Sequence, residues 1–561
     1  LIADDNEASN NGNPSFSSYH EFLLLSEKLA NIIHSNSPSV VIKKLYHDSY
    51  QRVAESSGNR YLDVERLIFD NANEGTFFIN YIGHSNTVNW AAEKTFTQSQ
   101  VSALSNKKLG IWFAASCEFS EYDSYSTSCG ESLVLSPNGG ALAVVASPLK
   151  VYANQSDEVN RNFINALYSR PENGTLGDAI ITAKNAVKME IRVMYPLLGD
   201  PAIRLVMPQP SMNVVTDKIS SDTIRALSRV SVLGHVESDS LLMSSFNGKV
   251  NITVYDKEQV CKTKGNVNNY VADYNDYTTV LYSGETEVVN GKFSYEFIVP
   301  SGIASDYGNG HIVYYAYDVA DTIDALGYYN DFVVGGLLDT VFADTIGPKI
   351  ELYMNSTAFA SGDKVGSSPV VVAYVADENG INSTGVGIGH DITVSLNGAD
   401  KVSVNEYFSY ALQSCTDGKV CYPLNDLADG YYTLTFKAWD MLNNSSSKTI
   451  SFKVENGRGS HINSMIASPN PAVSQTEISV FHDRPMSDVE YKVAIFDLQG
   501  RGVAEMSGVE NSKDGKLSLF WNLKDKNGVM VEPGVYLYRV DIKASGESFE
   551  GKTEKIVVLP Q

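Results

Sequence analysis

Three near-continuous apolar runs constrain this chain most: "GTFFINYIG" (75–83), "KKLGIWFAAS" (107–116) and "GGALAVVAS" (139–147). A strand that is apolar at every position is covered on both faces. That is the condition of a parallel sheet with helices above and below it. Helical periodicity surrounds these runs. "HEFLLLSEKLANIIH" (20–34) places Phe22, Leu25, Leu29 and Ile33 on one face. Residues 59–72, 97–105, 157–169 and 176–193 also read as helices, and "SVVIKKLY" (39–46) reads as a further strand. Residues 1–206 therefore form an α/β domain with a parallel, doubly covered sheet. The opening "LIADDNEASNN" reads as a strand end running into an acidic loop, so we expect a portion of this domain to precede Leu1.

After Pro208 the texture changes. Short alternating runs bounded by turn residues replace helical periodicity. "YYTLTFKAWD" (431–440) puts Tyr432, Leu434, Phe436 and Ala438 on one face, and "YKVAIFDLQG" (491–500) and "GVYLYRV" (534–540) alternate in the same way. This is the pattern of antiparallel sandwiches. "ADTIGPKIEL" (343–352) reads as a linker in which Pro348 sets an extended entry, and "ASPNPAVSQTEISV" (467–480) reads as the entry to a last module. The expected organisation is an α/β domain at 1–206 and three Ig-like β-sandwiches at 207–345, 346–457 and 458–561.

The net charge of −23 over 561 residues excludes a nucleic-acid binder built on a basic footprint. No apolar run reaches 18 residues, which a membrane-spanning helix would need. The five cysteines leave at least one thiol unpaired in a monomer. Cys415 and Cys421 could close a small disulfide loop. No four-ligand metal spacing is present. Acidic loops such as "ADENG" (376–380) and "DLADG" (426–430) offer oxygen ligands for calcium, or are solvated turns.

In open α/β sheets the chemistry lies at the carboxyl ends of the strands. His84 follows one such strand and Cys117 follows another, with one crossover helix between them. Neighbouring strands would bring imidazole and thiol to one crevice, the arrangement that activates a Cys nucleophile. Backbone N–H groups in the turn at Gly83 and Ser85, and at Cys117, would face the oxyanion of an acyl intermediate. The competing readings are a His in an ordinary turn and a Cys that is a small buried hydrophobe. Asp5, Glu7 and Glu93 are candidate orienting carboxylates, or solvated loop charges. Ser128-x-x-Glu131 has capping-box spacing, and Asp200 before Pro201 reads as a structural turn.

"FFINYIGHSNTVNWAAE", "LGIWFAASC", "CGESLVLSPNGGALAVVAS" and "LLGDPAIRL", with the opening "LIADDN", resemble the gingipain-type cysteine peptidases. The resemblance covers about 1–206 and implies a caspase-like fold. It also implies His84 as general base and Cys117 as nucleophile, with no cofactor required. The sequence departs from that family at Ser85, where Gly is usual, at Ser116, and at Glu118 and Phe119 after the Cys.

The terminal module carries Pro469-Asn470-Pro471, "FDLQGR", Trp521, Asp525 and Gly528 in the pattern W-x-x-x-D-x-x-G, and "PGVYLYRV". It resembles the C-terminal sorting domains of type IX secretion cargo. Together the two resemblances are similar to the sortase of that system. Such an enzyme removes the sorting domain from cargo and attaches the new carboxyl end to an amine of anionic lipopolysaccharide through a Cys thioester. The partners so implied are cargo C-terminal domains, anionic lipopolysaccharide and an outer-membrane β-barrel shuttle protein (PorV-like). The implied location is the cell surface, associated with the outer membrane. A secreted gingipain-like endopeptidase and a non-catalytic binding or adhesin module are the alternatives.

Overall fold

The computed structural model describes residues 1–5, 20–56, 58–169, 174–187, 190–204, 208, 211–267, 269–318, 323–338, 344–357, 359–367, 369–385, 389–411, 414–424, 427–455, 462–468, 470–472, 475–482, 487–512, 516–526, 528–544, 547–549 and 553–559. The first part is built on a six-stranded sheet. Its elements are β1 (Ile2–Ala3), α1 (Glu21–Asn36), β2 (Leu45–Tyr46), α2 (Leu62–Glu74), β3 (Phe78–Ile82), α3 (Gln98–Ala103), β4 (Gly110–Ala115), α4 (Cys129–Leu135), β5 (Ala141–Ala146), α5 (Ala153–Tyr168), α6 (Leu176–Ala186) and β6 (Leu197–Leu198). The strand order is β6-β5-β4-β3-β1-β2.

All pairings are parallel except that of β6, which lies antiparallel at one edge. The apolar runs behave as continuous burial requires. In β4, Ile111, Phe113 and Ala115 face one core, with α1, α5 and α6, while Trp112 and Ala114 face another, with α2, α3 and α4. The run 39–46 is shorter as a strand than its sequence suggests. Only Leu45 and Tyr46 pair, with Ile2 and Ala3 of β1.

The remainder is β structure with separate cores. Strands between Met212 and Leu337 form an eight-stranded and a three-stranded sheet around Val232, Ile252 and Tyr314. Strands between Lys349 and Val454 form a four- and a five-stranded sheet around Val371, Leu434 and Phe436. Strands between Ile462 and Val558 form a three- and a five-stranded sheet around Val480, Trp521 and Tyr538. The "FDLQGR" and W-x-x-x-D-x-x-G segments are turns, and their Gly500 and Gly528 both have φ of 78°. That left-handed conformation favours glycine. Pro469 lies outside the described residues.

The disulfide expected between Cys415 and Cys421 is not formed; all five cysteines are free thiols. Cys415 packs with Ile298 and Met441, whereas Cys421 packs with Val370 and Val372 in a different cluster. The strand Asp417–Pro423 intervenes and carries Cys421 to a separate environment. Among the described residues no helix is long and apolar enough to cross a membrane.

Candidate active site

β3 and β4 pair in constant parallel register, from Phe78 opposite Ile111 to Ile82 opposite Ala115. That register offset is 33 residues, the same spacing that separates His84 from Cys117. Both residues therefore leave adjacent strands at the same level of the carboxyl edge. The two loops are tied directly, since the Ser85 hydroxyl donates to the Cys117 carbonyl in a short hydrogen bond. The Tyr81 ring stacks on Trp90 at 4.3 Å, and its hydroxyl donates to the His84 carbonyl at 2.6 Å. Phe22, from α1, sets its ring edge-on to the His84 imidazole at 5.3 Å between centroids.

Cys117 is partly exposed, and its Sγ lies 3.4 Å from both the Val151 carbonyl and the Val151 N–H. His84 Nε2 is buried and makes no hydrogen bond among the described residues. The thiol is held by the Val151 backbone, in the loop after β5. Catalytic hydrogen bonds commonly tighten only when substrate is bound.

Asp4 anchors the histidine loop, and the sequence argument did not single it out. β1 pairs with β3 so that Ala3 lies opposite Ile82. One residue on, Asp4 Oδ2 accepts the His84 backbone N–H at 2.9 Å. Asp4 Oδ1 lies 3.3 Å from Nδ1 of the fully buried His47. Burial pushes the Asp4 carboxyl up, but His47, by hydrogen bonding and charge, the His84 charge and the His84 N–H together hold it below its ordinary value. The candidate named from the sequence, Asp5, is one position too far along. Its Oδ2 accepts the Tyr61 hydroxyl at 2.7 Å and lies 3.9 Å from Arg52 Nη1. Register, more than the presence of an acid at a strand end, identifies the anchor.

Gly83 belongs to the turn rather than to an oxyanion site. Its N–H points at the Ala115 carbonyl at 3.5 Å. A Cβ there would overlap the Asp4 side chain and the Tyr81 hydroxyl, so only glycine lets Asp4 approach. Ser85 differs. It bridges Trp90 in an antiparallel pair whose hydrogen bonds are made by its neighbours, Ala91 N–H to the His84 carbonyl and Asn86 N–H to the Asn89 carbonyl. In such a pair the central residue's own N–H points away from the partner strand. Immediately after Cys117, Glu118 has φ of 57°, a left-handed conformation that costs a non-glycine residue about 1–2 kcal/mol.

Glu93 and Asp5 are buried, at 1 % and 6 % exposure, and are not solvated loop charges. Asp4, Asp5 and Glu93 each bring a carboxylate oxygen within 4.8 Å of the others, close enough to hold a cation. Glu7 lies outside the described residues. Glu131 completes a capping box on Ser128 at the start of α4, as its spacing implies. Asp200 Oδ1 accepts the Ala202 N–H at 2.8 Å in a turn. Cys129 is buried, and burial pushes its thiol up.

A second acidic group bears on calcium. Asp377, in the "ADENG" loop, converges with Asp344 and Asp440 to within 4.8 Å. Burial pushes the Asp377 carboxyl up to about 6, against a hydrogen bond from Asn379 N–H, and the charges of Asp440, Asp344 and Glu378 add to the rise. A bound divalent cation would relieve that repulsion. Calcium at about 100 times its dissociation constant should add about 2.7 kcal/mol of stability to this module. Differential scanning calorimetry with calcium and with chelator should show its transition move by about 10 °C. The shift should vanish in Asp440→Asn. Of the "DLADG" loop, Asp426 lies outside the described residues.

Residues 1–206 match the model of peptidase family C25. Among solved structures, the chain is similar to dimeric latent PorU from Porphyromonas gingivalis, at 28% identity with a TM-score of 0.33. That match covers 76% of this chain and 41% of that one. It is also similar to the Arg-specific cysteine proteinase gingipain R, RgpB of Porphyromonas gingivalis, at 16% identity and a TM-score of 0.30, covering 59% of this chain and 66% of that chain. The fibronectin(III)-like modules of Clostridium thermocellum CbhA match at 10% identity and a TM-score of 0.14, covering 38% of this chain and 95% of that one. This chain therefore spans less than half of the PorU chain it matches. No curated protein matches it significantly.

Proposed function

Residues 1–206 match peptidase family C25, and on that premise we propose that this chain is a cell-surface cysteine peptidase and transpeptidase of the sortase type. It would cleave C-terminal sorting domains from type IX secretion cargo. The observation that supports the catalytic part is the shared offset of 33 residues, by which His84 and Cys117 follow adjacent strands at the same level. Cys117 attacks the scissile carbonyl as thiolate, His84 having taken its proton. The Ser85 and Cys117 N–H groups face the developing oxyanion. His84 then protonates the leaving amine, which departs and leaves a thioester on Cys117. An amine attacks that thioester, loses a proton to His84, and regenerates the thiol while forming a new amide.

The ordered motifs of the last module support an exported, outer-membrane-associated protein. On this reading its partners are cargo C-terminal domains, anionic lipopolysaccharide as the amine-bearing acceptor, and a PorV-like β-barrel that engages residues 458–561. The module boundaries 207–345, 346–457 and 458–561 belong to the same reading. Each proposed stretch encloses one of the β cores described above.

Incubating the chain with a cargo C-terminal peptide and a free amine tests the reaction. Mass spectrometry should find the amine joined to the new carboxyl end. Hydrolysed product alone would make the chain a gingipain-like endopeptidase. No product from any peptide would favour the binding-module reading.

A further inference from the structure

The second module reaches into the first. Its two-stranded hairpin, Gln259–Lys262 paired with Asp273–Asp276, and the loop between them form an arm. Ala272 of this arm is 3 % exposed and belongs to the same core as α1 and the sheet. Tyr274 packs edge-on against Tyr46 of the edge strand β2, with centroids 5.0 Å apart. The arm thus covers a sheet edge that would otherwise be open.

The arm's turn is clasped by residues 47–52. The buried Asp48 carboxylate accepts the Asn266 N–H at 2.7 Å and the Gly265 N–H at 3.1 Å, and its backbone carbonyl accepts the Lys264 N–H at 2.6 Å. The Asn266 amide donates to the Tyr50 carbonyl at 3.0 Å, and Arg52 Nη2 donates to the Asn266 carbonyl at 2.8 Å. Asp48 lies in one turn of 3-10 helix, His47–Ser49, whose first residue is the imidazole beside Asp4. Asp4 in turn holds the His84 N–H. Three successive contacts therefore lead from the second module to the histidine loop.

We propose that the arm is a positioning element of the active site. By clasping Asp48 it fixes His47, through His47 it fixes Asp4, and through Asp4 it sets the height and orientation of His84 relative to Cys117. Asp48 and Asn266 are positioning residues that act without touching substrate. The inference deepens the peptidase reading and rests on it for the roles of His84 and Cys117. The neighbouring contacts are specific to this junction. Four of the five hydrogen bonds fall on backbone groups of one turn, Lys264 N–H, Gly265 N–H, Asn266 N–H and the Asn266 carbonyl, and those groups are satisfied here only if the turn sits in this place.

The test uses the full chain with two variants, Asp48→Ala and Asn266→Asp; the second sets a carboxylate against the Tyr50 and Asp48 carbonyls that accept from the Asn266 amide. Lys262→Ala, which removes an exposed partner of Asp273 elsewhere on the arm, is the control. Two readouts are followed: peptide cleavage, split into kcat and KM, and the rate of Cys117 alkylation by iodoacetamide from pH 5 to 9, mapped by peptide mass. Displacement of a catalytic group by about 1 Å lowers turnover by about 100-fold, so we expect kcat to fall by about 10–100-fold in both variants with KM nearly unchanged. The pH profile of Cys117 alkylation should move toward that of His84→Ala, and Lys262→Ala should leave both readouts as they are. Should Asp48→Ala fail to fold, Asn266→Asp carries the test alone. The proposal is overturned if both readouts in a folded variant match the unaltered chain. The alkylation profile reads the geometry even if no peptide is cleaved. If His84→Ala leaves that profile unchanged, the peptidase reading itself falls, while a profile sensitive to His84 but insensitive to Asn266→Asp sinks only the arm's role.

Discussion

Cys117→Ala should abolish peptide cleavage, by at least about 10⁴-fold, as removal of an enzyme nucleophile generally does. The thiol is partly exposed, and its only hydrogen-bond partner among the described residues is the Val151 backbone. Losing it should therefore cost the fold little, within about 1 kcal/mol. Circular dichroism and thermal unfolding should be nearly unchanged, which separates a chemical loss from a structural one. His84→Ala should bring a comparable loss and should also slow alkylation of Cys117 near neutral pH. Cleavage that survives Cys117→Ala would mean that some other group is the nucleophile.

The second large effect falls on a residue that touches no substrate. Asp4→Ala should destabilise the chain by about 3–5 kcal/mol, because it strands buried partners of a charge. It removes the acceptor of the His84 N–H and the carboxylate beside the fully buried His47. Activity should fall with it, since the loop that presents the imidazole loses its anchor. Asp4→Asn gives the more informative comparison. It keeps an oxygen for the His84 N–H and discards only the charge, so it should fold better than the Ala variant while still losing turnover.

Its pH behaviour follows from the direction of the Asp4 shift. The carboxyl is held below its ordinary value in the folded chain. A group depressed in this way stabilises the fold fully above its unfolded pKa, and the contribution is lost as pH falls through the lower folded value. The unaltered chain should therefore lose stability over an acid limb beginning near pH 4. In Asp4→Asn that part of the limb should be missing in urea titrations run from pH 7 to pH 3. An unaltered acid limb would show that the Asp4 charge contributes nothing to the fold.

How far the sequence could be read depended on the range of the interactions involved. The runs 75–83, 107–116 and 139–147 announced buried strands, because continuous apolarity has few other uses at that length. His84 and Cys117 could be proposed from the sequence because both follow such runs. Glu131 was legible because a capping box is complete within four residues. Asp4 was not. Asp4 and Asp5 are the same residue type side by side, and only the pairing of Ala3 with Ile82 decides which one lies level with the histidine loop. The Cys415–Cys421 loop failed for the related reason that nearness in sequence does not set side-chain direction. A strand intervenes and the two thiols enter different clusters.

His47, Asp48 and the arm lay further out of reach. Asp48 meets Gly265 and Asn266 across 217 and 218 residues of chain, and neither segment carries a pattern that names the other. The sequence by itself determined the α/β-then-β order, the positions of His84 and Cys117 just after buried strands, and the turns, all of which follow from periodicity and local chemistry. The tertiary structure alone decided which carboxylate anchors the histidine loop, that the Ser85 N–H points away from its partner segment, and that the arm of the second module packs on the first. Those outcomes depend on strand register and on contacts between distant segments, which one-dimensional patterns do not encode.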